Sequence, residues 1–275
     1  MLAVIGDLVD DVVVRLGGSV NEATDTVARI ERRRGGSAAN VAVAAVAAGS
    51  AARFLGQVGD DPIGQMLVDD LSDAGVDVSC VRRRGRTGTI VVLVDRAGER
   101  SMLSDRGAAV ELVAPDAAWL DGVGVLHLPL YGLDAEPLAS TVMTVVRWAH
   151  ERGLVVSVDV SSVELIQRLG RKHVFDLLGE LRPHVVLANG DEAEALGIGG
   201  EVAGAVTVVK QGPDPVIVYR RGDRCEYEVP PLGAVTDTTG AGDAFAAGFL
   251  VAGLDDPAAA CRAGCRAAAR VIAAR

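Results

Sequence analysis

The sequence predicts an α/β fold in which a doubly wound, mostly parallel sheet carries helices on both faces. Three observations support this prediction. From residue 123 onwards, short apolar runs alternate with amphipathic segments, the pattern of buried parallel strands and the helices that cover them. Hydrophobic residues make up 49% and charged residues 23% of the 275 residues, as in globular rather than disordered proteins. Two β-rich stretches, about 11–32 and 76–105, break the alternation and predict a small β-sheet that covers the main body as a lid.

The N-terminal half of the chain supplies the first strands and helices of the main body and the predicted lid. The apolar runs 1–6 and 52–58 predict buried strands. Residues 37–49 are rich in alanine and valine and end in glycine, and residues 62–74 begin with proline, so both segments are predicted to be helices. The lid strands are predicted at 11–16, 25–30, 76–81, 89–94 and 100–104.

The C-terminal half is predicted to alternate regularly between strands and helices. Buried apolar runs place strands at 123–128, 154–158, 184–188 and 205–210. Amphipathic segments place helices at 135–152, 171–182 and 191–196. Two alanine-rich helices then run towards the end of the chain. No repeat or long linker interrupts these elements, so we expect a single domain over residues 1–275.

The charge and the cysteine content restrict the partners that the chain is expected to have. It has 27 Lys and Arg against 37 Asp and Glu, a formal net charge of −10, which argues against nucleic acid and anionic membranes as partners. The longest apolar stretch, 41–49, is far shorter than the roughly 20 residues that span a bilayer. The four cysteines lack metal-ligand spacing, and the N-terminus lacks the basic region of a signal peptide. We therefore expect a protein of the reducing cytoplasm.

The strongest chemical signal is the glycine-rich turn DTTGAGD at residues 237–243. Gly240 and Gly242 let the backbone approach an anion, and the amides at a helix N-terminus favour one. A carboxylate in such a turn needs a role of its own, and Asp243 is predicted to accept a proton from a hydroxyl that attacks a phosphoryl group. The chain has no Gly-Lys dipeptide for a Walker A loop, and Phe245 occupies the third glycine position of a dinucleotide fingerprint.

Two segments resemble the signatures of the ribokinase-like carbohydrate kinases, also called the PfkB family. These are GGSAANVAVAAVAAG at 35–49 and DTTGAGDAFAAGFL at 237–250, with GQVGDDPIG at 56–64 and NGDE at 189–192 in the expected order between them. The resemblance covers essentially the whole chain. It implies an ATP-dependent phosphotransferase that uses Mg²⁺ and phosphorylates a primary hydroxyl of a small sugar or sugar acid. It further implies a monovalent cation such as K⁺ near the site. The lid is in addition a candidate surface for a homodimer, and the sequence leaves the oligomeric state open.

The resemblance also implies roles for individual residues. Asp243 corresponds to the catalytic base, and the amides of Gly240, Ala241 and Gly242 correspond to the anion hole. Substrate hydroxyls are expected at Asp11, Gly36 and Asn40. The nucleotide is expected at Asn189, Lys210 and Gly212, together with Gly240 and Gly242.

The expected cations have residues of their own. Glu192 corresponds to the residue that helps to hold Mg²⁺ through water, and Asp237 and Thr239 correspond to the loop that binds a monovalent cation. Arg106 is predicted to face the substrate on separate grounds, because it precedes Gly107 at the end of the lid strands.

Several of these residues have a simpler interpretation. Glu192 could be an ordinary carboxylate in the first turn of a helix, Asn40 a residue that caps a helix, and Lys210 a solvated lysine at a strand end. For the whole chain, a nucleoside kinase of the same family is the first alternative. A catalytically weak protein that senses a sugar or a nucleotide is the alternative from another class.

Overall fold

Within residues 1–231 and 237–274, which are those that the computed structural model describes, thirteen strands form two sheets and eight α-helices pack against the larger one. The strands are β1 Leu2–Ile5, β2 Val9–Leu16, β3 Ala28–Gly35, β4 Ala52–Val58, β5 Val81–Arg83, β6 Thr87–Val94, β7 Arg100–Gly107, β8 Val125–Pro129, β9 Val155–Asp159, β10 Val185–Asn189, β11 Val206–Gln211, β12 Asp214–Arg220 and β13 Asp223–Tyr227. The helices are α1 Ser37–Ala47, α2 Pro62–Asp73, α3 Leu138–Glu151, α4 Val163–Leu169, α5 Arg171–Leu181, α6 Gly190–Leu196, α7 Ala241–Ala252 and α8 Pro257–Ala273.

The main sheet has nine strands among the described residues, in the order β13-β12-β11-β10-β9-β8-β1-β4-β5. Its pairs are parallel from β5 to β11, and β12 and β13 add an antiparallel hairpin at one edge. Alternate residues of one strand enter separate cores: Val186 packs with the side of α3 to α6, and Val185 with the side of α1, α2, α7 and α8. The predicted doubly wound, mostly parallel sheet is confirmed.

A second sheet has four strands among the described residues, in the order β3-β2-β6-β7. Strand β2 pairs antiparallel with β3 and parallel with β6, so the two β-rich stretches of the sequence do combine into one small sheet. Strand β3 begins at Ala28 rather than at residue 25 and continues to Gly35. The charged end of this strand, Arg32–Arg34, gives no strand signal in the sequence, but in the structure it pairs with the acidic residues of β2. Asp10 lies opposite Arg34, and Asp11 lies opposite Arg33.

The predicted lid strand at 76–81 is wrong. The chain instead makes an isolated parallel bridge between Arg53 and Asp77, and then β5 joins the edge of the main sheet beside β4. Val76 and Val78 pack into the core beneath α1 and α2, so their alternation reflects burial against the main body. The β12–β13 hairpin and α4 are elements that the sequence did not predict.

The small sheet is fixed to the main body where β6 begins. Asp61 is the N-cap of α2, and its carboxylate accepts hydrogen bonds from Gly64 N at 2.8 Å and from Thr87 N and Oγ1 at 2.7 Å each. These bonds outweigh burial and lower the pKa of Asp61. No helix within the described residues is both long and apolar enough to cross a membrane.

Close packing of α7 against α8 holds the helix that begins at the glycine-rich turn. A Cβ on Gly248 would lie 2.6 Å from the carbonyl oxygen of Ala263, which is shorter than real Cβ contacts. Gly248 therefore lets the two helix backbones approach. Gly179 in α5 is a useful contrast, because a Cβ there would meet open space.

We expect Gly248→Ala to lower the free energy of unfolding by about 1–3 kcal/mol, because the added methyl forces α7 and α8 apart. Gly179→Ala should raise it by about 0.5–1 kcal/mol, because alanine loses less backbone entropy in a helix. Urea denaturation of both variants measures the two changes. Equal effects on the two variants would contradict the packing explanation.

Candidate active site

The N-termini of α1 and α7 meet at the carboxylate of Asp243. Ser37 Oγ donates to Asp243 Oδ1 at 2.6 Å, and Asn40 Nδ2 donates to Oδ2 at 2.9 Å. Burial raises the pKa of Asp243, and these two hydrogen bonds oppose that rise. Asn40 thus contacts the predicted base directly. Ser37 was missed, because a serine at the start of a helix gives no sequence signal beyond capping.

The glycine-rich turn leads directly into α7. Gly240 is the N-cap residue and adopts a left-handed conformation with φ of 78°. The amide of Ala241 donates to Thr238 O at 3.0 Å, which closes the turn. Gly242 is exposed, and a Cβ on it would lie 3.5 Å from Lys210 Nζ. The positive end of the α7 dipole and an ammonium group therefore share this surface.

Lys210 lies at the carboxyl end of β11 and is not a solvated side chain. Its side chain is 13% exposed, and Nζ is 2.7 Å from Asp159 Oδ2 at the end of β9. Burial lowers the pKa of Lys210, but nearby carboxylates, first that of Asp159 and then that of Glu192, outweigh burial and raise it. Asp159 was not a predicted site residue. The sequence showed it only as an aspartate at a strand end, where ligands of parallel sheets commonly lie.

Asn189 and Glu192 form a capping box at the start of α6. Asn189 Oδ1 accepts from Glu192 N at 2.9 Å, and Glu192 Oε2 accepts from Asn189 N at 2.8 Å. A third bond joins Asn189 Nδ2 to Glu192 Oε1 at 2.8 Å. Burial, and next the charge of Asp159, raise the pKa of Glu192. The helix-terminal interpretation of Glu192 is therefore confirmed, and its expected role with Mg²⁺ stays a prediction.

Two of the predicted substrate residues, Asp11 and Gly36, lie on β2 and at the N-cap of α1. The Asp11 carboxylate packs over Gly35 of the neighbouring strand β3, where a Cβ would come within 2.0 Å of Asp11 Oδ1. Burial raises the pKa of Asp11 to about 6, against the opposing charge of Arg33. Gly36 has φ of 101°, and a Cβ on it would lie 2.2 Å from Asp7 O. The backbone at the start of α1 thus passes against the end of β1.

Arg106 is held in an ion pair. Its Nε and Nη2 donate to the two carboxylate oxygens of Asp7 at 2.7 and 2.8 Å. Nη2 also donates to Tyr131 O at 2.9 Å, and Nη1 is 3.5 Å from Asp134 Oδ2. Asp7 was not predicted as a site residue. The carboxylate of Asp7 therefore balances the charge of Arg106 within the protein itself.

Asp237 and Thr239, the residues expected to bind a monovalent cation, contact arginines of the small sheet. Arg100 Nη2 is 2.7 Å from Asp237 Oδ1, and Arg100 Nη1 donates to Thr239 Oγ1. Burial raises the pKa of Asp237, but hydrogen bonds from Thr239 and Arg100 outweigh it and hold the pKa well below its usual range. Gly212 lies apart from these contacts, exposed in the turn between β11 and β12.

Comparison with known proteins identifies the family to which the chain is similar. The family model described as pfkB family carbohydrate kinase matches residues 1–275. An ATP-dependent ribose-1-phosphate kinase of Halopiger xanaduensis is 34% identical over 233 residues, which cover 81% of this chain and 74% of the relative.

Two solved structures share the fold over almost their whole length. A sugar kinase of Pyrococcus horikoshii in complex with ATP has a TM-score of 0.85 and 25% identity, covering 100% of this chain and 93% of that one. Adenosine kinase of Sinorhizobium meliloti has a TM-score of 0.83 and 25% identity, covering 99% and 93%.

The buried carboxylate of Asp11 should make the stability of the protein depend on pH. Its pKa is raised from 3.8 to about 6 in the folded state, so the stability that protonation gives is fully present below pH 3.8 and is lost as the pH rises through 6. Asp11→Asn should therefore stabilise the protein at pH 7.5, by on the order of 2 kcal/mol, and have little effect near pH 3.8. Melting temperatures across this range measure the difference.

Asp73→Asn serves as the control, because Asp73 is an exposed carboxylate at the end of α2. Its melting temperature should follow that of the wild type. A stabilisation by Asp11→Asn that is equal at all pH values would show that titration of Asp11 is not the cause.

Proposed function

The chain belongs to the pfkB family of carbohydrate kinases, and from this membership we propose that it transfers the γ-phosphoryl group of ATP to a primary hydroxyl of a small sugar. Members of this family are ATP-dependent phosphotransferases, and this chain is an enzyme of that class. The observation that carries the finer proposal is the half-buried Asp243, which stands beside the glycine-rich turn and is oriented by Ser37 and Asn40.

Asp243 is the proposed general base. A base must be ionised and placed within hydrogen-bond reach of the attacking hydroxyl. Two donated hydrogen bonds hold the carboxylate in one orientation and favour its ionised form, while burial strengthens it as a proton acceptor. The proton of the substrate hydroxyl passes to Asp243 as the oxygen attacks the γ-phosphorus, and the bond from that phosphorus to the bridging oxygen breaks, so that ADP leaves.

The exposed start of α7 is the proposed site of the transferred phosphoryl group. The amides of Gly240 and Gly242 and the dipole of α7 favour negative charge at this point. Ala241 was predicted as a third donor, but its amide already serves the turn, so its role is to shape the turn. Lys210 places its ammonium group beside Gly242, and its ion pair with Asp159 holds that group in place.

Mg²⁺ is the proposed metal, held mainly by the phosphates of ATP. Within the described residues, no group of three or more His, Cys, Asp or Glu side chains could hold a metal ion alone. A single carboxylate, that of Glu192, suits a hydrated Mg²⁺, which usually binds through one or two carboxylates, water and substrate phosphates. Glu192 would hold its hydration shell, and the bound ion would neutralise charge on the phosphate oxygens.

The acceptor is proposed to lie between β2 and the start of α1, near Asp11, Gly36 and Asn40. We favour a neutral sugar over a sugar acid, because Asp7 already balances the charge of Arg106. A nucleoside remains the alternative acceptor, since the adenosine kinase of Sinorhizobium meliloti shares the fold. A sensing protein without turnover is less favoured, because binding alone does not require a carboxylate beside a phosphate site.

Two further expectations also stay proposals. A homodimer through the small sheet agrees with the exposed apolar side chains of Ile30 on β3 and of Met102 and Leu103 on β7, the two edge strands. A cytoplasmic location is proposed because the cysteines form no disulfide in the described structure, as expected in a reducing compartment. They are Cys80, Cys225, Cys261 and Cys265.

ADP release measured across a panel of neutral sugars, sugar acids and nucleosides tests the proposed function. We expect turnover with at least one neutral sugar, and Asp243→Asn should lower kcat by roughly 10²- to 10⁴-fold while ATP still binds. Asp255→Asn, at an exposed position between α7 and α8, is the matched control and should keep full activity. Full turnover by Asp243→Asn would exclude this residue as the base, and binding without any turnover would favour the sensing protein.

Glu192→Gln should raise the Mg²⁺ concentration that gives half the maximal rate, because it removes a charge near the metal. Glutamine still completes a capping box, so the start of α6 should stay intact. Asp191→Asn, on the exposed neighbouring position, is the control. A Mg²⁺ titration of Glu192→Gln that matches the control would assign Glu192 to the helix alone.

A further inference from the structure

Arginines of the small sheet contact the residues that lead into the glycine-rich turn before α7. Arg100 is the first residue of β7, and its guanidinium reaches Asp237 Oδ1 at 2.7 Å and the hydroxyl of Thr239. The side chains of Arg100 and Asp237 are 32% and 15% exposed, so the pair is partly shielded from water. Charge-assisted hydrogen bonds in such a setting are stronger than those at an open surface.

Asp237 organises the backbone on which Asp243 depends. Its Oδ1 accepts from Thr239 N at 2.8 Å and from Thr239 Oγ1 at 2.6 Å. The next residue, Gly240, takes the left-handed conformation from which α7 begins. The position of Asp243 at the start of α7 is thus connected through this turn to the carboxylate of Asp237.

The positive charge that balances Asp237 comes from the small sheet. Arg100 lies on β7, and Arg33 on β3 places its Nη1 3.9 Å from Asp237 Oδ2. A monovalent cation bound by Asp237 and Thr239 would need the oxygens that the guanidinium of Arg100 already contacts, and it would be repelled by that charge. The residues therefore do not fit the cation that the sequence predicted here.

We propose that Arg100 is a positioning residue that takes the place of a monovalent cation at the turn before Asp243. The kinase then needs no K⁺. The glycine-rich turn before Asp243 is organised while the small sheet is packed on the main body. This inference rests on the proposed function for its kinetic consequences. Its structural consequence, a cation that binds at Asp237 once Arg100 is removed, does not depend on catalysis.

The first experiment compares kcat in KCl and in tetramethylammonium chloride at one ionic strength. The wild type should give the same kcat in both salts. Arg100→Ala should lose roughly 10- to 100-fold in kcat in tetramethylammonium chloride, as expected for the loss of a charge-assisted hydrogen bond to a half-buried carboxylate. KCl should restore part of that loss. Arg29→Ala is the matched control, since Arg29 is an exposed arginine of β3 that pairs with Glu31 within the small sheet.

The second experiment measures melting temperatures and needs no activity. KCl should stabilise Arg100→Ala relative to tetramethylammonium chloride and leave the wild type and Arg29→Ala unchanged. If no substrate is turned over but this pattern appears, the proposed function fails and the role of Arg100 at Asp237 stands. Activation or stabilisation of the wild type by KCl, or an unchanged kcat in Arg100→Ala, would overturn the inference. Arg100→Gln, with the same readouts, replaces Arg100→Ala if that variant does not fold.

Discussion

The site depends on one half-buried negative charge shared by two helices that are far apart in the sequence. Asp243 belongs to α7, and both hydrogen bonds that its carboxylate accepts come from residues of α1, some two hundred residues earlier. An ionised carboxylate in this setting is costly unless donors surround it. The approach of α1 requires Gly36 to pass against the backbone of Asp7. The geometry of the base is therefore set by packing between helices as much as by the glycine-rich turn.

Opposite charges alternate across the carboxyl edge of the main sheet. Lys210 stands between the carboxylates of Asp159, Glu192 and Asp243, and each of these raises its pKa. This keeps the lysine charged although it is buried, and a charged lysine beside Gly242 suits a site for phosphate oxygens. On the substrate side the same balance is reached within the protein by Asp7 and Arg106. Lys210 thus places an ammonium group beside the start of α7, whereas the charge of Arg106 is paired with Asp7.

Features that local sequence encodes were predicted well, and features made by distant contacts were not. The strand β4, the helix start at Pro62 and the turn at Gly240 follow from apolar runs and from residues with special backbone preferences. Ser37 and Asp159 went unrecognised because their roles exist only when other strands and helices bring a partner. Arg100 was not predicted as a site residue for the same reason, because in the sequence it is one charged residue among several on a predicted lid strand. The strand at 76–81 failed because alternation shows that one face is buried, but not which sheet buries it.

The small sheet is attached to the main body at one end, so a small rotation at that end moves its far end by a larger distance. Its strands enter and leave the main body near Thr87 and Gly107, where the carboxylate of Asp61 anchors the first residue of β6. Arg100 lies seven residues from Gly107 along β7, a lever arm of about 23 Å at the rise of a β-strand. A rotation of about 10° at the anchored end would displace Arg100 by about 4 Å, which exceeds the reach of a hydrogen bond. Small angular changes near the substrate would therefore be amplified into the making or breaking of a contact at the turn that carries the base.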